Sequence, residues 1–221
     1  MDVPPIAVAA LTGFLSGFLL SVPIGPVNLT IINEGARRGF LFAALIGLGS
    51  TVMEVIYCAI AFTGFSSYFG NRFVKALMEL FSFAFMLFLG VKFLVVKTIP
   101  AHTKMEERLE ETFHPHSAFM MGFVRTMGNP GILVFWIILA ANFVTREWVT
   151  PDLRGKTACI AGVGVGAALW LVGLSWAVSL GHKKFGEKTL LKMERFSGVC
   201  LIVLAVAHGL HIAWKMTKDK M

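Results

Sequence analysis

Two charged side chains, Glu54 and Arg125, stand inside long apolar stretches of the chain, where an unpaired charge finds no solvent. An ionised carboxylate placed as deep in hydrocarbon as Glu54 costs about 3 kcal/mol or more, so it has to be protonated, paired or in contact with water. Such a group suits the binding and release of a proton in a transport cycle; the plainer alternative is a structural partner for Arg125. Arg125 itself could hold a carboxylate in bidentate fashion or neutralise Glu54. Asn28 and Asn129 each offer a donor and an acceptor, as recognition of an ammonium and a carboxylate together requires, and either could equally cap an open helix end. Helical spacing puts Gly47, Thr51, Cys58 and Ala61 on the face of Glu54, a strip of small residues that admits another helix or a cavity. Glu34 lies nearer a loop and reads as an interfacial charge beside Arg37 and Arg38.

What positions these groups is a pair of helix-breaking stretches. In "SVPIGP", Pro23 and Pro26 each remove a backbone donor, and Gly25 tolerates torsions other residues avoid. In "GNPG", Asn129 and Pro130 do the same between Gly128 and Gly131. Peptide groups freed at membrane depth are tolerated only where they are buried in protein or face a water-filled cavity, and breaks at corresponding places in two halves of a chain point to a binding site.

The surrounding chain is made for lipid. Of 221 residues, 56% are hydrophobic and 15% charged, with a mean hydropathy of +0.74, which excludes an ordinary soluble domain. The apolar runs are long and continuous instead of alternating, which predicts helices and not a barrel. They cover about 6–24, 40–65, 73–96, 118–143, 157–180 and 196–214. No Lys or Arg precedes Arg37, so the first run reads as an uncleaved span. The net charge of +7 sits in short connections beside the spans, which suits anionic lipid headgroups and not nucleic acid. Cys58, Cys159 and Cys200 each fall in an apolar run and read as small core residues.

The expected fold is therefore an all-α polytopic membrane protein with six transmembrane helices, built as two inverted three-helix repeats with broken first and fourth helices. It forms one transporter domain: repeat one about 6–96, a hydrophilic loop about 97–117, and repeat two about 118–214. The repeats share ordered features, with Gly17-Phe18 matching Gly122-Phe123, Pro26 falling near Pro130, and Gly47-x-Gly49 matching Gly162-x-Gly164. An odd number of crossings per half makes the two halves insert in opposite senses. Counting Lys and Arg in the loops gives about ten on one side against about eight on the other, which places the N-terminus outside.

"SVPIGPVNLTIINEGARRGF", "GLGSTVMEVIYCAIAFTG" and "GFVRTMGNPGILVFW" together resemble the lysine exporter (LysE/RhtB) family of translocators. The resemblance with specific motifs covers roughly a third of the chain: the first two spans and the start of the fourth. It puts the family's PxGP motif on Pro23, Gly25 and Pro26, its acidic position on Glu54, and its Asn-Pro on Asn129 and Pro130. Members often follow the Asn-Pro with lysine or a bulkier residue, whereas Gly131 follows here. The resemblance implies a multi-pass carrier of the inner (cytoplasmic) membrane that expels amino acids or similar small metabolites, driven by the ion gradient. Substrate or ion binding is then expected at Pro23, Gly25, Pro26, Asn28, Glu54, Arg125, Asn129 and Pro130. Membrane lipids and a small-molecule substrate are the expected partners, and a homodimer is one assembly this allows.

Other functions have less support. No G-x-x-x-x-G-K-[ST] loop is present for an ATPase motor, and no H-E-x-x-H for an intramembrane metal-dependent enzyme, so neither catalysis nor a cofactor is expected. "GVGVG" at 162–166 lies in an apolar helix and reads as close packing. His208 and His211 read as interfacial residues, and "HPH" at 114–116 with His102 as part of a solvated loop in place of a metal site. A divalent-cation exporter of the same superfamily is the alternative closest in mechanism.

Overall fold

The computed structural model describes residues 4–23, 25–64 and 117–180, together with scattered positions within 80–95 and 191–210. Among the described residues are six complete helices: α1 (Pro5–Ser21), α2 (Pro26–Arg38), α3 (Phe40–Gly64), α4 (Ala118–Met127), α5 (Pro130–Thr145) and α6 (Leu153–Ser179). Among the described residues there are no strands, and those within 80–95 and 191–210 are helical. Gly90 there lies against Gly198 and Ile202. The hydrophilic loop, all six histidines and Cys200 lie outside the described residues.

Local chemistry sets the helix ends. Pro5, Pro26 and Pro130 each stand in the first turn of a helix, where the missing N–H would have had no intrahelical partner anyway. Pro26 and Pro130 therefore start new helices in place of kinking old ones. Between α1 and α2 the chain turns by 70°, and between α4 and α5 by 68°. Sequence patterning ends the first span near Ile24; the chain instead re-enters a helix at Pro26 and buries Ile31 and Ile32. Gly39, at a φ of 84° that favours glycine, closes α2 with its N–H on the Gly35 carbonyl and turns the chain into α3. Ser117 caps α4 by accepting from the Met120 N–H at 3.2 Å, and Asp152 caps α6 by accepting from the Arg154 N–H at 3.2 Å.

The 25 residues of α3 and 27 of α6 make helices of roughly 37 and 40 Å, long enough to cross a bilayer. With each bent pair taken as one crossing, the described residues hold up to four spans. Large apolar side chains cover their outward faces: Leu11, Leu15 and Leu19 on α1, Leu41, Leu45 and Val52 on α3, and Val165, Leu169 and Trp176 on α6. Exposed stripes of this length suit hydrocarbon and not water.

Inside, α1 packs along α6 and α4 along α3, with α3 and α6 against each other. Both pairs approach backbone to backbone. A methyl group on Gly17 would collide with the Val163 carbonyl, and one on Gly166 with the backbone of Phe14 and Phe18. In the other pair, Gly122 meets the Ile46 carbonyl and Gly49 the backbone of Phe119 and Phe123. Gly13 meets Cys159 as Gly17 meets Val163, and Ile46 meets Gly122 as Ser50 meets Thr126, so both pairs run parallel. Gly47 lies against Leu171 and Gly164 against Val55, which makes α3 and α6 antiparallel.

Because backbone atoms are the obstacle, Gly122→Ala has no side chain to push aside, and overpacking of this kind costs about 1–3 kcal/mol. It should lower the thermal unfolding midpoint of the purified protein by several degrees. Gly173→Ala, at a position with open space around it, should leave the midpoint where it is. Equal midpoints for the two variants would contradict the close approach.

Candidate functional site

The two breaks meet. A cavity of about 80 Å³ lies where α1 gives way to α2, where α4 gives way to α5, and where α3 passes between them. From the first break its wall includes Pro23, Gly25, Pro26 and Asn28. From elsewhere it includes Glu54, Arg125 and Asn129. Of the eight positions singled out in the sequence these are seven; the eighth, Pro130, begins α5 beside Asn129 and is exposed.

Asn28 works on the break itself. Its Nδ2 donates to the Ser21 carbonyl at 2.9 Å and the Pro23 carbonyl at 2.7 Å, serving acceptors that α1 leaves open as it ends. Its Oδ1 is buried with no hydrogen-bond partner. The capping role open from sequence is thus filled, while the acceptor half of the same amide is spare. Asn129 occupies the N-cap position of α5 without a side-chain cap hydrogen bond. At the end of α4 the matching service comes from Tyr57 on α3, whose hydroxyl donates to the Met127 carbonyl at 2.8 Å. Nothing in the local sequence marks Tyr57 for this, since the two residues are 70 apart.

Glu54 is 8% exposed, and its Oε2 has no hydrogen-bond partner. The small residues expected on its face, Gly47, Thr51, Cys58 and Ala61, are all buried. The Ser21 hydroxyl lines the cavity with Glu54 and donates to the Gly17 carbonyl at 2.8 Å. One turn before Glu54, the Ser50 hydroxyl shares a 2.7 Å hydrogen bond with the Thr126 hydroxyl, which is itself 3.0 Å from the Gly122 carbonyl. Ser21, Ser50 and Thr126 were not singled out from the sequence. Ser50 could have been found by its i, i+4 relation to Glu54, and Ser21 and Thr126 by their places just before the two breaks.

Arg125 donates to the Thr30 hydroxyl, which ties α4 to α2 beside the cavity. Glu34, by contrast, pairs with Arg38 at 2.9 Å and Arg37 at 3.6 Å, as its interfacial reading expected. Among the described residues, no three His, Cys, Asp or Glu side chains gather as a metal site would need. Cys58 and Cys159 are free and buried. The cavity thus holds a buried carboxyl, a guanidinium, a spare amide oxygen and three hydroxyls, which can satisfy a small molecule bearing charges of both signs.

Replacing Asn28 with leucine strands the Ser21 and Pro23 carbonyls in a buried setting, at about 2 kcal/mol or more. Asn28→Leu should unfold several degrees below the wild-type protein in thermal denaturation. A midpoint equal to wild type would remove Asn28 from the support of the break.

The chain matches the family model of LysE type translocators over residues 18–210. It is 25% identical over 193 residues to YcgF of Bacillus subtilis (strain 168), whose name describes it as a candidate amino acid efflux protein; the match spans 87% of this chain and 91% of that one. It is 26% identical over 160 residues to the chemotactic transduction protein ChpE of Pseudomonas aeruginosa, covering 72% of this chain and 77% of ChpE. No solved structure gives a significant match. With the family model spanning both helix breaks and the cavity between them, the chain belongs to the LysE type translocator family and is a multi-pass membrane protein.

Proposed function

We propose that this protein is a secondary exporter of amino acids or related small metabolites across the cytoplasmic membrane, coupled to an ion or proton gradient. The observation that carries this is the single cavity shared by both breaks, with Glu54, Arg125 and Asn28 on its wall. The N-termini of α2 and α5 also border it, and the positive ends of their helix dipoles favour a carboxylate. The efflux described in the name of YcgF is of the same kind.

The protein works, on this proposal, as two inverted three-helix repeats. Support comes from matched contacts. Gly17 meets the Val163 carbonyl as Gly122 meets the Ile46 carbonyl, and Ser21 and Thr126 each hydrogen-bond the carbonyl four residues back. Gly49 touches Phe119 and Phe123 as Gly166 touches Phe14 and Phe18. The partner of Gly49 is therefore Gly166, two residues beyond the Gly164 that the sequence match picks. Because α4 runs parallel to α3, which turns back from α1 across the membrane, the two matched halves point in opposite directions.

About 80 Å³ holds only a few water molecules, at about 30 Å³ each, so a substrate needs the halves to separate before it enters. Rocking of one repeat against the other about the paired breaks provides that opening to each side in turn. Glu54, buried with a spare oxygen, is the coupling group in this cycle.

In cells or vesicles loaded with labelled amino acids, Glu54→Gln should cut gradient-driven efflux at least roughly tenfold, a loss of about 1.4 kcal/mol. Exchange of labelled for unlabelled substrate without a gradient should fall less. Gradient-driven efflux at the wild-type rate would take Glu54 out of the mechanism.

A further inference from the structure

The cavity lining is unequal at three positions that pair between the proposed repeats. Arg125 precedes Thr126 as Leu20 precedes Ser21. Asn28 is the third residue of α2, as Ile132 is the third residue of α5. Glu54 lies two turns past Ile46, as Leu171 lies two turns past Val163. All six side chains line the one cavity. At each of these three positions one repeat supplies a polar or charged group and the other an aliphatic one.

We infer that the occupant is a zwitterionic amino acid with an aliphatic side chain, held with its charged head against Asn28, Glu54 and Arg125 and its side chain against Leu20, Ile132 and Leu171. This rests on the amino-acid exporter proposal and narrows its substrate. The buried, unpartnered Asn28 Oδ1 and Glu54 Oε2 are acceptors without donors, and an ammonium group brings three N–H donors. Arg125 supplies the fork that a carboxylate fits. Against Leu20, Ile132 and Leu171, the side-chain ammonium of lysine, the carboxylate of glutamate or the hydroxyl of serine loses water and gains no partner. Aliphatic carbon gains by leaving water at the same place. Leu20, Ile132 and Leu171 are thus the residues that set specificity, and their chemistry separates aliphatic from polar substrates more sharply than one aliphatic substrate from another.

The test uses the full-length protein in proteoliposomes, loaded in parallel with unlabelled leucine, lysine or glutamate and assayed by counterflow of the same amino acid in labelled form. Unlabelled leucine, isoleucine, valine, serine, lysine and glutamate serve as competitors. Leucine, isoleucine and valine should compete at concentrations at least about tenfold lower than serine, lysine or glutamate. Leu171→Thr and Ile132→Thr should each narrow that gap severalfold, and if neither variant folds, the wild-type competition order decides alone. Transport of lysine or glutamate in preference to the aliphatic residues would overturn the inference and leave amino-acid export standing. Transport of none of them by a folded, monodisperse protein would overturn both.

Discussion

A peptide group that leaves a helix inside hydrocarbon has to find its partner in protein, and the site depends on how this chain meets that demand. At the end of α1 the partner is Asn28, reaching back from the next helix to the Ser21 and Pro23 carbonyls. At the end of α4 it is Tyr57, reaching across from α3 to Met127. Each break is therefore held open by a side chain from another helix. A proline alone would not do this. Without Asn28 and Tyr57, the cheapest response to two stranded carbonyls would be to shift the helix end and close the space.

The glycine contacts place the breaks opposite one another. With backbone touching backbone at Gly17 and Gly166 in one pair, and at Gly122 and Gly49 in the other, α1 and α4 are fixed along α6 and α3 to within a fraction of a turn. That register puts the ends of α1 and α4 at one level and sets Ser50 against Thr126. The cavity is a consequence: the helices that border it are packed as closely as helices can be on one side, and each is interrupted on the other. Close packing in lipid draws on dispersion and small residues in place of a hydrophobic drive, so the glycines carry much of the association that larger apolar residues carry in soluble proteins.

The breaks could be read from sequence because proline and glycine act on the backbone where they stand. The burial of Glu54 could be read for the same kind of reason, since one acidic residue in a long apolar run has few places to go. The helix after the first break could not. The stretch "PVNLTIINEGARR" is too polar for a span, and its helix depends on Pro26 at the first turn and on Ile31 and Ile32 packing into a core that only the fold creates. Tyr57 to Met127 and Ser50 to Thr126 are likewise contacts between distant parts of the chain. On the proposed repeat, "GVGVG" offers glycines at every second position and so aligns with the first half in two registers; the contact of Gly166 with Phe14 and Phe18, which parallels that of Gly49 with Phe119 and Phe123, favours Gly166 over Gly164 as the counterpart of Gly49. The third and sixth apolar runs and the histidine-bearing loop fall mostly or wholly outside the described residues and lend nothing to either side.

The central claim is that the two interrupted helices enclose one compartment that water and substrate reach during transport. The most direct measurement is thiol labelling of Ser50→Cys, in a protein with Cys58, Cys159 and Cys200 replaced by alanine, by a charged methanethiosulfonate in membrane vesicles under efflux conditions. The account predicts labelling that slows when a transported amino acid is present. A Ser50→Cys thiol that stays unreactive while the same vesicles export substrate would contradict it.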